Sequence, residues 1–258
     1  MKNIIFVLFI LSLITVRVSN ASQLDLDNEI KYYSDIFSED DFQNFKEQYD
    51  KLSYSGISSP IVFDQIAEKL KANKNAKEKK LVESTAWLIK ILSTSGNEKY
   101  RGLLVDIRKN ADSGKLKRYA RNYLSRLDKY VEWNAIISKG LVDAPDGQLE
   151  EFRTVNVMYV YDKEFYSPLV KQIKEVYNEK TFKTEVVAAI VRRTEIEVAR
   201  EAKLDTKQHE TLAWLVKTIG QTKDERHKPF LKKVYYESKI GKVRRYTRGA
   251  IKKLSLNN

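Results

Sequence analysis

The sequence predicts an all-α protein built from repeated helix pairs, and three observations support this fold class. Glycine and proline are scarce, at 9 and 4 of 258 residues, while helix-favouring lysine, glutamate, leucine and alanine are abundant. Apolar residues recur at helical period along most of the chain. The segment AWLIK at residues 86–90 returns as AWLVK at residues 213–217, which is 127 residues later. Because that distance is too long for one helix, it indicates two copies of one block.

The N-terminus has the pattern of a secretory signal peptide. Lys2 precedes an apolar run that begins at Ile4, and a small residue stands at Ala21. This pattern predicts cleavage after Ala21, so that residues 1–21 form the signal peptide. A membrane anchor is the alternative, but the run stops at Arg17, short of the roughly 20 apolar residues that span a bilayer. We therefore expect an exported protein, periplasmic or secreted, with no transmembrane segment in its mature form.

The rest of the chain divides into two predicted blocks joined by a turn or linker. Residues 22–139 form the first block, residues 140–147 the linker and residues 148–258 the second block. The linker sequence GLVDAPDG holds two glycines and a proline and is the strongest break in the helical pattern. Aligned without gaps from Ala86 and Ala213, the blocks share 12 identities in 42 positions, which supports a duplication.

The last helix of each block carries one predicted apolar stripe. Its members are three or four residues apart, which places them on one helix face. They are Leu116, Tyr119, Ala120, Tyr123, Leu124 and Leu127 in the first block, and Val243, Tyr246, Thr247, Ala250, Ile251 and Leu254 in the second. The repeated Trp87 and Trp214 are expected to fill the core, with stacking on a ligand as the alternative.

A second shared pattern places a glycine or proline four residues after a glutamate. It begins at Glu98, Glu164 and Glu225, and its prolines are Pro168 and Pro229. Proline suits the first turn of a helix, because the N–H that it lacks has no partner there. Both prolines are therefore predicted near helix starts, and the three instances indicate a repeat array.

These motifs resemble HEAT repeats, and most closely the HEAT-like units of phycobilisome lyases. The resemblance rests on residues 218–254 and, more weakly, on residues 91–127. The family's Gly, Asp-Glu, Pro and Val-Arg positions are met by Gly220, Asp224, Glu225, Pro229, Val243 and Arg244. The acid that precedes Val-Arg in the family is absent, since Gly241 and Lys242 occupy that place. The resemblance implies a right-handed α-solenoid of HEAT-like helix pairs, in which the second helix of each pair lines the concave face.

Charge is unevenly distributed along the chain. Residues 22–50 carry nine acids and two bases, a net charge of −7, whereas residues 203–258 carry fifteen bases and five acids, a net charge of +10. The candidate binding residues are cations of the last helix of each block: Arg244, Arg245, Arg248 and Lys252, and Lys117, Arg118 and Arg121. The resemblance places them on the concave face, where they would attract acidic protein, anionic glycan, lipid headgroups or nucleic acid. A solvated helix face without a ligand is the alternative.

Catalysis and metal binding have little support in the sequence. The chain contains no cysteine, which excludes disulfides, thiolate metal sites and thiol nucleophiles. His209 and Glu210 begin like the zinc motif H-E-x-x-H, but Ala213 stands where the second histidine belongs. We therefore expect no enzyme activity, no metal site and no cofactor.

The sequence thus predicts an exported, non-catalytic protein-binding scaffold or adaptor with an acidic protein partner. The alternative is an envelope protein whose basic C-terminal end binds anionic lipid or polysaccharide. Nucleic acid is not expected as a ligand, because the protein is exported and its aromatic residues lie on the apolar stripes rather than between the cations.

Overall fold

The computed structural model describes residues 23–39 and 45–255, and within these ranges the protein is helical without a strand. This confirms the all-α prediction. The described chain forms two compact units that divide between Arg153 and Thr154. The predicted signal peptide, residues 1–21, lies outside the described residues.

Unit 1 is organised around one central helix, α4. Its helices are α1 (residues 23–38), α2 (Phe45–Ser55), α3 (Pro60–Asn73), α4 (Lys79–Ser93), α5 (Arg101–Asn110), α6 (Gly114–Ile137) and the first part of α7 (Leu149–Val157). Helix α4 packs against α2, α3 and α6, and α6 also packs against α5. The side chains of Phe63, Leu88, Leu104 and Leu116 are fully or almost fully buried in this core.

Unit 2 is organised in the same manner around α10. Its helices are α8 (Tyr166–Glu179), α9 (Thr184–Ala199), α10 (Thr206–Gln221), α11 (Lys228–Glu237) and α12 (Gly241–Leu254). Helix α10 packs against α8, α9 and α12, and α12 also packs against α11. Pro168 and Pro229 occupy the first turns of α8 and α11, which confirms their predicted places near helix starts.

The apolar stripes of α6 and α12 face these cores. Each has four fully or almost fully buried members, which are Leu116, Ala120, Leu124 and Leu127, and Val243, Thr247, Ala250 and Leu254. The polar member, Thr247, donates its hydroxyl proton to the carbonyl oxygen of Val243 at 2.9 Å. A threonine can therefore be buried in this apolar stripe, because its hydroxyl group has a hydrogen-bond partner within the same helix.

The predicted linker, residues 140–147, lies inside unit 1 and contains a 3-10 turn at Leu141–Asp143. Gly140 and Gly147 have φ angles of 73° and 68°, a left-handed conformation that disfavours residues with a Cβ atom. The two glycines that marked the sequence break are therefore required by the backbone at these turns.

A buried arginine joins the first and last helices of unit 1. Arg153 of α7 donates from Nη2 to Glu29 Oε2 of α1 at 2.5 Å and from Nη1 to Glu150 Oε2 at 2.6 Å. Its Nε donates to the carbonyl oxygen of Ser55, the last residue of α2, at 2.9 Å. Burial raises the pKa of the Glu29 carboxyl, and the Arg153 charge opposes that rise. The guanidinium thus holds α1, α2 and α7 together.

Unit 2 contains a fully buried ion pair on α9. Arg193 Nε donates to Glu197 Oε1 at 2.7 Å, and the Tyr166 hydroxyl donates to the same oxygen at 2.6 Å. Arg193 Nη1 also donates to the carbonyl oxygens of Met158 and Val160 at 2.8 and 2.9 Å. Through these two bonds, Arg193 holds the segment around Met158 and Val160, which precedes α8, against α9.

Candidate functional site

The predicted cations of the last helix share one exposed side of α12. Arg244, Arg245, Arg248 and Lys252, here named the basic face, are all exposed and lie opposite the buried stripe of that helix. Among the described residues, none of the four forms an ion pair with a carboxylate. Arg248 Nη2 donates to the hydroxyl oxygen of Tyr235 on α11 at 2.7 Å. The basic face is thus a surface of positive charge that no acid of the described ranges neutralises.

The start of α12 is fixed by a buried carboxylate. Glu201 accepts hydrogen bonds from the backbone N–H groups of Lys239 and Ile240 at 2.8 and 3.2 Å, and from the Ser238 hydroxyl at 2.5 Å. These groups immediately precede the helix, where backbone N–H groups lack intrahelical partners. Glu201 thus sets the direction in which α12 presents the basic face.

The candidate cations of the first block lie on α6 in unit 1. Arg118 and Arg121 are exposed, and Lys117 is half-buried. The guanidinium carbon of Arg118 lies 5.9 Å from the centre of the Tyr119 ring, within the range of a cation–π contact. The seven predicted residues therefore form two groups, four on α12 and three on α6.

Three helices of unit 2 bring lysines together around two aromatic rings. Lys174 comes from α8, Lys217 from α10 and Lys253 from α12, and we name these lysines with Trp214 and Tyr177 the lysine site. Lys217 Nζ lies 3.9 Å from the centre of the Trp214 ring and 4.2 Å from that of Tyr177. Lys174 Nζ is 5.0 Å from Trp214, and Lys253 Nζ is 5.6 Å from Tyr177. All five side chains are half-buried, so the site remains open to solvent.

The two rings of the lysine site are held in place by each other and by polar contacts. Trp214 and Tyr177 meet edge to face, with centres 5.6 Å apart and planes at 79°. Lys253 Nζ donates to Gln221 Oε1 at 2.7 Å and lies 3.4 Å from the Tyr177 hydroxyl. A carboxylate is also near, because Glu210 Oε1 is 4.0 Å from Lys174 Nζ.

Unit 1 has a related cluster in which several aromatic rings surround one lysine. Lys90 Nζ lies 3.7 Å from the centre of the Trp87 ring. The rings of Tyr119, Tyr49 and Tyr123 follow at 5.4, 5.7 and 5.9 Å. One ammonium group is therefore surrounded by four aromatic rings of its own unit.

The prediction that Trp87 and Trp214 fill the core is wrong. Both are half-buried at the surface, whereas Trp133 of α6 is 1% exposed. Each half-buried tryptophan shares a helix face with the lysine three residues later, and the ammonium group of that lysine lies over its ring. The repeated segment thus contains a signal for a surface cluster, a tryptophan followed three residues later by lysine.

Within residues 23–39 and 45–255, no group of three or more His, Cys, Asp or Glu side chains is arranged to hold a metal ion. No helix in the same ranges combines the length and apolarity that crossing a membrane requires. Comparisons with protein-family models, with curated proteins and with solved structures give no match.

Proposed function

We propose that the chain is an exported, non-catalytic protein-binding scaffold that presents its basic face to an acidic protein. The observation that carries this proposal is the exposure of Arg244, Arg245, Arg248 and Lys252 on one helix side without an acidic partner among the described residues. Four like charges on one side create a positive potential that attracts and orients an acidic surface. A rigid helix, rather than a loop, holds them in register.

The proposed architecture is a right-handed α-solenoid of HEAT-like pairs in two copies of a block of about 127 residues. The positions of the helix starts support it. Three successive helical segments of unit 1 start at Glu98, Arg101 and Gly114, and the last three described segments of unit 2 start at Glu225, Lys228 and Gly241, each 127 residues later. Equal spacing over three successive segments is what a duplicated block would leave.

The test is a quadruple replacement on the basic face, Arg244→Gln, Arg245→Gln, Arg248→Gln and Lys252→Gln. Glutamine keeps the helix propensity of these exposed positions, so that α12 should remain folded. Tagged wild-type protein would first capture partners from the native envelope fraction, and a purified partner would then be titrated. We expect the variant to bind at least about tenfold more weakly at low salt, and the difference should shrink as salt shortens the Debye length from about 10 Å toward 3 Å.

The matched control removes four exposed cations from unit 2 outside the basic face. Lys203, Lys207, Lys232 and Lys239 are exposed, and their replacement by glutamine lowers the net charge by the same amount. Equal weakening by both variants would show that only net charge matters. Retention on phosphatidylglycerol vesicles without any captured protein would replace the scaffold with the envelope alternative.

A further inference from the structure

The lysine site gathers three ammonium groups around two aromatic rings. Lys174 and Lys217 approach the same Trp214 ring, and Lys217 and Lys253 approach the same Tyr177 ring. Like charges that share the same rings repel one another, and partial burial reduces the screening by water. Among the described residues, Glu210 pairs with Lys174 at 4.0 Å, and Lys217 and Lys253 form no ion pair with a carboxylate. The site therefore favours an additional anion.

The cluster of unit 1 places one cation against its tryptophan, where the lysine site places two. The ammonium of Lys90 contacts Trp87 and three tyrosine rings, while Lys115 and Arg118 approach Tyr119 and not Trp87. Four ring faces satisfy one cation, so an incoming anion would find one charge surrounded by aromatic edges and faces. Each cluster thus has a tryptophan and a lysine on the central helix of its unit, α4 or α10. We therefore expect the lysine site to attract an anion more strongly than the cluster of unit 1 does.

We propose that the lysine site binds an acidic peptide segment of the protein partner, a proposal that rests on the proposed scaffold function. Three ammonium groups on separate helices suit carboxylates spaced along an extended chain. Trp214, half-buried between them, offers an apolar surface for a neighbouring aromatic or aliphatic side chain of that peptide. Lysines act as point charges that pair with carboxylates and phosphates alike, so the apolar surface of Trp214, which suits a neighbouring peptide side chain, is what favours a peptide here.

The closing experiment uses the indole N–H signals of the full mature protein in two-dimensional NMR. The chain has three tryptophans, so the signals of Trp87, Trp133 and Trp214 can be assigned with Trp87→Phe and Trp214→Phe variants. The probe is a short peptide of alternating acidic residues around one phenylalanine, and its control has every acid replaced by the amide. We expect the acidic peptide to shift the Trp214 signal saturably and to leave the Trp87 signal in place, while the amide peptide shifts neither.

The matched variants separate this site from the basic face. Replacing Lys174, Lys217 and Lys253 together by glutamine should weaken peptide binding at least tenfold. Replacing Lys203, Lys207 and Lys232 removes the same charge and should change it less than about twofold. If the triple variant fails to fold, the single Lys174→Gln variant provides the test. Lys174 is more than one-third exposed, so its replacement is a milder change, and it should weaken peptide binding about threefold.

Several results would overturn the lysine site as a peptide site. These are equal shifts of Trp87 and Trp214, equal binding of the amide peptide, and unchanged binding by the lysine variants. A Trp214 shift with phosphatidylglycerol vesicles or polygalacturonate but not with the peptide would assign the site to a lipid or polysaccharide. If the basic-face variant no longer binds a captured partner and the lysine-site variant still does, the scaffold function stands and this inference fails.

Discussion

Gly220 of α10 and Ala250 of α12 lie in direct contact where the two helices pack. A Cβ atom built on residue 220 would lie 2.5 Å from the Ala250 Cα. That distance is shorter than any carbon–carbon van der Waals contact, whose optimum is about 3.5–4.0 Å. The absence of a side chain at position 220 is therefore what permits α10 and α12 to approach this closely at Ala250. Because α12 carries the basic face, this crossing also fixes the placement of the cations.

The Gly220→Ala variant should be less stable than the wild-type protein, although alanine is the better helix former. The added methyl group would push α12 away, and overpacking of this kind costs about 1–3 kcal/mol. Gly249→Ala on α12 is the control, since a Cβ there meets nothing within 4 Å, and it should gain about 0.5–1 kcal/mol. Urea unfolding measures both, and an unchanged midpoint for Gly220→Ala would contradict the close crossing.

Replacing the buried Arg193 with methionine should destabilise unit 2 by about 3–5 kcal/mol. The change leaves the Glu197 carboxylate buried without its cation and releases the carbonyl oxygens of Met158 and Val160. Arg193→Met combined with Glu197→Leu should recover part of this loss, because no uncompensated charge remains. Thermal and urea unfolding would measure the loss of stability in Arg193→Met, in Glu197→Leu and in the double variant. A loss in the double variant equal to the sum of the two single losses would contradict the pairing.

Removal of the Glu201 side chain should loosen α12 while α10 stays intact. Glu201→Ala leaves the N–H groups of Lys239 and Ile240 without their acceptor, at a cost of about 1–3 kcal/mol. Hydrogen exchange of the α12 amides should therefore accelerate more than that of the α10 amides. Glu237→Ala, on an exposed residue of α11, serves as the control and should leave both rates unchanged.

The stability of unit 1 should fall in alkaline solution partly through Tyr130. Burial raises the pKa of the Tyr130 hydroxyl well above 10 in the folded protein, so below about pH 10 both folded and unfolded states keep the proton. As the pH rises further, only the unfolded state ionises at first, and stability drops by up to about 1.4 kcal/mol per pH unit. Unfolding midpoints between pH 8 and 12 should show a shallower fall for Tyr130→Phe.

The parts of the fold that depend on local periodicity could be predicted from the sequence. The stripes of α6 and α12 and the helix starts at Pro168 and Pro229 follow from apolar spacing and from the missing proline N–H, both of which are local properties. Helix α1 was not predicted, because its residues 23–38 read as an acidic segment. Its burial depends on Tyr33 and Phe37, and its anchoring depends on Arg153, far along the chain.

The candidate site was predictable only in part. The basic face is visible as cations four residues apart on one helix, and the structure exposes them together. The lysine site could not be read in this way, because Lys174, Lys217 and Lys253 belong to three helices that only tertiary packing brings together. The sequence showed one part of it, Trp214 with Lys217, and large aromatic rings are more often core than surface residues, which led to the wrong assignment.

The hydrogen bond between Glu29 and Arg153 joins residues 124 positions apart, and this separation has a consequence for how the protein is made. Helix α1 leaves the ribosome before the rest of unit 1, but the guanidinium that anchors it is added at the end of that unit. At the usual rate of about 5–20 residues per second, the delay is on the order of ten seconds. During that interval the half of α1 that will be buried has no native partner from α7, so this helix completes its packing only after the end of unit 1 has been synthesised.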